Sequence, residues 1–332
     1  MGTKKTKFKI RTIKDLSRHI DVDEETISDL ICALKSNETG LYKSSQIPKR
    51  NGGTRTIDNP CQKLKLVQKN INGKILQRIK IHNAASGGVK GKRLREFLEI
   101  HCGKPMVMAF DLKDFFPNMK QTNVYKMFCN LGMSPQVAKI LTSLTTYKGR
   151  LPQGAPTSPM ISNIIAGYGK SCLDARFEGL CKKHESEHGR WIDDIPISGP
   201  SYLPKIKPVF KKIVKQCGFI VNAKKEENAI HPQDEAQIIT GHCVNKKPNV
   251  LKSVRKKMRA ELHRRKMGNF EGIKYIESEK HSLRGRIAHI QSINPDLGNK
   301  FLSEFMKIKW PSDAFRRNSI HDSASGTLSI KR

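Results

Sequence analysis

Hydrophobic and polar positions change period several times along this chain, and each change marks an element. Residues 12–35 carry apolar side chains at helical spacing and read as helices. Within DVDEETISDLICAL, Asp21 is the expected N-cap, with Glu24 three residues later, close to a capping box. YKSSQIPKRNGGTRTIDNP has strand character on both sides of Asn51-Gly52-Gly53, a strong hairpin signal. LKLVQKNINGKILQRI places Leu64, Val67, Ile71 and Ile75 on one helical face. PMVMAFDLKDFF is a short apolar run that enters Asp111 and predicts a buried strand. GRLPQGAPTSPMISNIIAGYG reads as a Gly/Pro loop followed by an apolar helix from Ser158 or Pro159. WIDDIPIS predicts a hairpin, 205–217 a helix, and GFIVN and AQIITGHCVN a strand each. From Lys246 onward Leu251, Val254, Met258 and Leu262 recur at helical spacing in a basic background, and helices continue to about Trp310. The Ser-rich tail RRNSIHDSASGTLSIKR reads as disordered.

Composition narrows what such a pattern can serve. A chain of 332 residues has room for roughly two domains. Its 62 Lys and Arg stand against 30 Asp and Glu, a formal charge of +32. Excess charge of one sign does not help folding; it points to a polyanion, and nucleic acid is the first candidate. No apolar run approaches the ~18 residues that a spanning helix needs, so no membrane is expected. The basic N-terminus has no apolar core like that of a secretory signal, and MGTKKT fits a myristoylation pattern only nominally. The eight cysteines include no C-x-x-C and read as reduced thiols of a cytoplasmic protein.

Against that basic background, GRWIDDIPISG places Asp193 and Asp194 side by side among apolar residues. A buried carboxylate without a partner is costly, so something positive is expected there. Asp111 also ends an apolar run. If the two runs are neighbouring strands, Asp111, Asp193 and Asp194 meet, and such a trio can hold two divalent cations ~3.5–4 Å apart. Oxygen ligands favour Mg2+. The bland alternative is a surface turn, since Asp is common in turns. The flanking apolar residues, the third acid and the basic excess favour the site.

Taken in order, the segments between about residues 42 and 295 resemble bacterial reverse transcriptases, particularly the retron type. YKSSQIPKRNGGTRTIDNPCQKLKLVQ is similar to the fingers segment, FDLKDFFPNM to the first catalytic motif, LPQGAPTSPMISNIIA to the template-and-nucleotide loop and WIDD to the Tyr-x-Asp-Asp box. GFIVNAKK and ITGHCVNKKPNV resemble the motifs that follow. The resemblance implies an α+β right-hand polymerase with fingers, a ferredoxin-like palm and a helical thumb. It implies an N-terminal helical segment over 1–41, fingers over 42–104, a palm over 105–245 with part of the fingers inserted at about 120–150, a thumb over 246–315 and a tail over 316–332. It assigns Asp111, Asp193 and Asp194 to two Mg2+ ions and Phe116 to the steric gate that excludes a ribose 2′-OH. The same resemblance implies that Gln153 lines the nucleotide pocket, that Lys49 and Arg55 contact the triphosphate, and that Lys225, with Lys224 as the neighbouring register, matches the lysine near the leaving pyrophosphate. The implied activity is DNA synthesis from dNTPs on a dedicated structured non-coding RNA, primed from its 2′-OH, in anti-phage defence and with a co-encoded effector protein as a further partner.

Some residues depart from the pattern. Trp191 stands where the box usually has tyrosine, Pro196 follows in a strand position that suits an edge strand or a distorted hairpin, and FLEIH keeps only His101 of a retron Asn-Ala-x-x-His segment. Competing readings are a free-standing group-II-intron-like reverse transcriptase, a non-catalytic RNA-binding scaffold with a decayed polymerase fold, and a two-metal nuclease. The nuclease needs neither Phe116 nor Gln153. Cys181, His184 and His188 have C-x2-H-x3-H spacing, although a polar segment ahead of the hairpin is the preferred reading over zinc. Residues 246–266 hold ten Lys and Arg against one Glu, and Arg255, Lys256 and Arg259 are expected to grip the phosphates of a template–primer duplex.

Overall fold

A computed structural model describes residues 8–36, 40–48, 52–167, 172–223 and 230–311. The chain divides into two compact units, Met1–Thr240 and Gly241–Arg332. Lys49, Lys224, Lys225 and the 316–332 tail lie outside the described residues.

The first unit opens with α1 (Ile13–Ile20) and α2 (Glu24–Lys35). Thr12 and Asp15 form the capping box of α1. Asp21, expected as an N-cap, instead ends α1 in the left-handed conformation at φ 58°. Its short polar side chain tolerates that conformation. Capping of α2 falls to Asp23, which accepts from the Thr26 amide at 2.6 Å. Strands β1 (Tyr42–Pro48) and β2 (Thr54–Pro60) form an antiparallel hairpin, with Gly52 and Gly53 at φ 81° and 75° in its loop. Helix α3 (Gln62–Lys74) buries Leu64, Val67 and Ile71, and Ile75 is buried just beyond it. From α3, Gln68 donates to the Tyr42 hydroxyl and to the Leu144 carbonyl, each at 2.8 Å, anchoring the base of the hairpin.

Then follow α4 (Leu94–Glu99), β3 (Met106–Asp111), α5 (Gln121–Asn130), α6 (Pro135–Thr145), α7 (Ser158–Gly167), α8 (Leu173–Lys183), β4 (Glu187–His188), β5 (Asp194–Gly199), α9 (Lys207–Gln216), β6 (Ile230–Pro232) and β7 (Ile238–Ile239). Four strands form an antiparallel sheet in the order β4-β5-β3-β6. The apolar run of β3 makes it an interior strand. Phe110 turns one face toward Phe177 of α8 and Phe210 of α9, with ring centroids 6.5 and 6.0 Å away. Burying a phenylalanine of this kind contributes about 1.5–3 kcal/mol. Successive strand residues face opposite ways, so Asp111 lies on the other face from Phe110.

Pro196 is on β5, an interior strand and not an edge. Its carbonyl accepts from Gly189 at 3.1 Å, so its missing N–H also faces the β4 side. There the ladder ends: the Gly189–Pro196 pair keeps one bond, proline cannot return the other, and β4 stops at His188. GFIVN is not a strand. It forms a single antiparallel bridge, Leu112 to Val221, made by the Lys113 amide donating to the Ile220 carbonyl and the Asn222 amide to the Asp111 carbonyl, each at 2.8 Å. AQIITGHCVN is split into two-residue strands by Thr240 and Gly241, both at positive φ.

In the second unit β8 (His242–Cys243) pairs with β9 (Asn249–Val250), and three helices follow: α10 (Lys252–Lys266), α11 (Ile276–Ile293) and α12 (Pro295–Met306). Met258, Leu262, Leu283, Ile287, Ile290, Phe301 and Phe305 form their shared core. Val254, expected in the apolar stripe, is 40% exposed, because the buried stripe of α10 is confined to Met258 and Leu262. Among the described residues no helix is long and apolar enough to cross a membrane.

Candidate active site

Asp111 ends β3 and Asp194 begins β5, and the two are direct partners in the antiparallel register. Directly opposed residues hold their Cβ atoms about 4.5–5.5 Å apart, and like charges so placed repel. Asp193 joins them through the backbone, its carbonyl accepting from the Leu112 amide at 2.9 Å. The sheet register therefore gathers acids 82 positions apart in sequence at one strand end, because β3 and β5 are neighbours. Asp111 is 8% exposed, and Asn222 donates to its Oδ1 at 2.8 Å, fixing the carboxylate's orientation.

The acids sit on a tight turn. Trp191 and Asp194 exchange backbone bonds of 2.8 and 3.1 Å, leaving Ile192 and Asp193 at the tip. Ile192 has φ 60°, while Asp193 is not at positive φ. That is the pattern of a II′ turn, whose first central position favours glycine. A β-branched residue there is a strained outlier. Trp191 packs on Phe97 from α4, ring centroids 5.4 Å apart.

The other expected site residues lie on several elements. Phe115 is buried in the core, and Phe116 beside it is half-buried. Gln153 is half-buried, and its carbonyl accepts from the Asp58 amide of β2 at 2.8 Å. Next to it Gly154 has φ 139°, and a Cβ there would come within 2.8 Å of the Asp58 carbonyl oxygen. The loop thus lies directly against the β1–β2 hairpin. Arg55 is exposed on β2. In the second unit Lys256 and Arg259 are exposed on α10 while Arg255 is half-buried. Glu261 of the same helix is held by a two-pronged bond from Arg286 at 2.6 and 2.7 Å. Among the described residues no ion pair involves Arg255, Lys256 or Arg259.

Two site-forming residues carry no clear signal in sequence. Asn222 sits in GFIVN, which reads only as a strand. Arg190 is one base among 62, yet it is wholly buried and bound to Asp174 through two bonds of 2.8 and 2.7 Å. Only its place directly before WIDD marks it. Breaking a buried pair by removing one partner typically costs about 3–5 kcal/mol.

The donor chemistry at the strand end is carboxylate oxygen, which suits a hard divalent cation. Among the described residues no three His, Cys, Asp or Glu side chains converge as a ready cage. Hard cations that act on phosphates do not require one, since they bind through one or two carboxylates and the substrate's own oxygens. The zinc spacing fails on the same ground. Cys181 lies in the core, where burial pushes its thiol up to about 11, His184 caps the end of α8, and His188 belongs to β4.

Comparison with known proteins bears on the family. The chain is 28% identical over 275 residues to the retron Mx65 reverse transcriptase of Myxococcus xanthus, a match covering 77% of this chain and 62% of that protein. It thus spans less than two-thirds of that relative. It is 25% identical over 303 residues to the retron Ec86 reverse transcriptase of Escherichia coli, covering 90% of each. A foamy viral protease-reverse transcriptase solved in complex with double-stranded DNA aligns at a TM-score of 0.43 and 16% identity, over 96% of this chain and 49% of that one. The family model for reverse transcriptase (RNA-dependent DNA polymerase) matches residues 47–263. Since that match takes in well over half of the sequence, the chain belongs to the reverse transcriptase family.

Proposed function

We propose that the chain is an RNA-directed DNA polymerase of retron type, which extends a primer on a structured RNA by two-metal transfer of nucleotides. The observation that carries this reading is the register of Asp111 with Asp194, with Asp193 at the adjoining tip. The opposed carboxylates of Asp111 and Asp194, with Asp193 at the adjoining tip, offer the oxygen ligands that suit two Mg2+ ions bound together with substrate phosphates. When bound, such ions activate the attacking hydroxyl and stabilise the leaving pyrophosphate. The protein's own part is to hold the carboxylates in place, with Asn222 orienting Asp111.

Around this centre Phe116 acts as the gate against a ribose 2′-OH and Gln153 lines the nucleotide pocket. Arg55 and Lys49 contact the triphosphate, and Lys225 lies near the pyrophosphate. Residues 42–104 serve as fingers, 105–245 as palm and 246–315 as thumb. Arg255, Lys256 and Arg259 hold the backbone of the RNA–DNA duplex. The partners are a structured non-coding RNA that supplies template and 2′-OH primer, its cDNA product, dNTPs and a co-encoded effector, in the bacterial cytoplasm and in defence against phage.

Primer extension with Asp193→Asn and Asp194→Asn tests the reading. Both variants are expected to lose Mg2+-dependent DNA synthesis while retaining RNA in a filter-binding assay. Full extension by either one rules out the two-metal assignment, and synthesis absent from the wild type itself favours a non-catalytic scaffold.

A further inference from the structure

Among the described residues Arg190 is the largest wholly buried side chain, and its polar contacts converge beneath the acidic tip. Its Nε and Nη2 donate to the two oxygens of Asp174 at 2.8 and 2.7 Å. Its Nη1 donates to Asn163 Oδ1 at 2.8 Å and to the Ile192 carbonyl at 3.2 Å. Asn163 in turn donates to the Gly87 carbonyl at 2.7 Å. The backbone of Arg190 is bound on both sides by the same loop, its amide to Ala84 at 2.7 Å and its carbonyl to Ser86 at 2.9 Å. Gly87 lies so close to the tip that a Cβ there would be 2.8 Å from Ile192 Cγ1.

We propose that Arg190, held by Asp174 and Asn163, is the positioning residue of the catalytic turn: it fixes the Ile192–Asp193 peptide and so aims the carboxylates of Asp193 and Asp194. The role given to those aspartates rests on the polymerase reading above. Ile192 occupies a conformation that isoleucine avoids, and strain of this kind persists only where surrounding contacts over-determine it. A guanidinium fork supplies such contacts, since its donors are fixed in one plane and can hold a carboxylate, an amide oxygen and a main-chain carbonyl together. Packing alone does not call for this arrangement. A buried ion pair can often be replaced by apolar residues without loss of stability, so a charged pair directly beneath the turn is better accounted for by geometry. The same fork also ties the turn to α7, the helix that follows the Gln153 loop. One side chain thus sets nucleotide loop and aspartates on a common support.

Asn163→Ala removes the amide link and leaves the Arg190–Asp174 pair intact, so it is the variant expected to fold. Arg190→Lys keeps the charge but loses the fork, and Arg190→Met loses both. Each is made with Trp310→Phe, which leaves Trp191 as the only tryptophan of the chain's two. Circular dichroism establishes folding. Trp191 emission reports the turn, Mn2+ affinity by electron paramagnetic resonance reports the carboxylates, and single-nucleotide incorporation reports catalysis. Misplacement by ~1 Å can cost on the order of 10²-fold in rate, and loss of outer-shell partners about 10–100-fold in metal affinity. Folded Asn163→Ala is therefore expected to shift Trp191 emission, bind Mn2+ at least tenfold more weakly (about the lower end of that range) and lose kcat with KM for dNTP nearly unchanged. Arg190→Lys is expected to recover part of what Arg190→Met loses. A folded Asn163→Ala protein with wild-type emission, Mn2+ affinity and kcat overturns the proposal. Shifted emission and weakened Mn2+ binding in a protein whose wild type makes no DNA leave the positioning role standing and defeat the polymerase reading instead.

Discussion

Phe116 stands half-buried beside the fully packed Phe115, five residues beyond Asp111. Its neighbour fills the core, with Phe219 at 5.5 Å, while Phe116 packs on the edge of that core, 5.9 Å from the Phe115 ring, and keeps part of its surface open. Phe116→Val is expected to raise incorporation of ribonucleotides relative to deoxynucleotides by tenfold or more, about 1.4 kcal/mol of discrimination per decade. Comparing kcat/KM for one dNTP and its rNTP measures it, and an unchanged ratio moves the gate elsewhere. The approach of Asp111 to Asp194 is legible in the sequence because each acid stands at the end of a short apolar run that reads as a strand or hairpin. Arg190 and Asn222 are not, because their partners are distant in sequence: Asn222 reaches Asp111 across 111 residues, and Arg190 reaches Asn163 across 27.

At the scale of elements, periodicity identifies helices with one apolar face where burial follows the period, as in α3. It fails where tertiary neighbours take over the backbone. GFIVN has strand composition but finds only a bridge, and Val254 has the right spacing on α10 but faces solvent. That helix makes a sharper statement than its periodicity. Its Glu261 is committed to Arg286, and Arg265 reaches Glu279, while Lys256 and Arg259 project outward. Changing Arg255, Lys256 and Arg259 to Gln is expected to weaken binding of an RNA–DNA duplex across all sequences. The log–log salt dependence should flatten by somewhat less than one unit for each phosphate that the variant no longer neutralises. Half-buried Arg255 is expected to contribute least. A salt titration checks this, and a folded triple variant with wild-type slope places the duplex grip elsewhere.

For the molecule as a whole, net charge points to a polyanionic partner but not to how stability depends on pH. That dependence lies in buried imidazoles. His101 is wholly buried, with Nδ1 2.8 Å from Ser198 Oγ, and burial pushes it down to about 3; burial likewise lowers His188 to about 4. A base lowered on folding stays neutral in the native state while the unfolded chain takes up a proton below its ordinary value near 6.5. The unfolded state then binds more protons, so stability is full above about pH 6.5 and falls as pH drops toward the native values. At about pH 5 His101 alone accounts for roughly 2 kcal/mol of that loss. Thermal melts of wild type and His101→Gln between about pH 7 and pH 5 should converge as pH falls. Parallel curves would mean that His101 does not titrate in this way.

The bond from Asn222 to Asp111 has a consequence for the chain as it is made. The strand that bears Asp111 pairs with β5 and with β6, which follow it by 83 residues or more, and its carboxylate is oriented by a side chain 111 residues downstream. At translation rates of about 5–20 residues per second, Asp111 emerges roughly 5–20 seconds before Asn222 can reach it. During that interval a nascent chain already rich in lysine and arginine can meet RNA, but its acids have no common scaffold. Basic charge is thus in place before the acidic cluster, and the order of synthesis keeps the carboxylates of Asp111 and Asp194 apart until β5, β6 and Asn222 have been made.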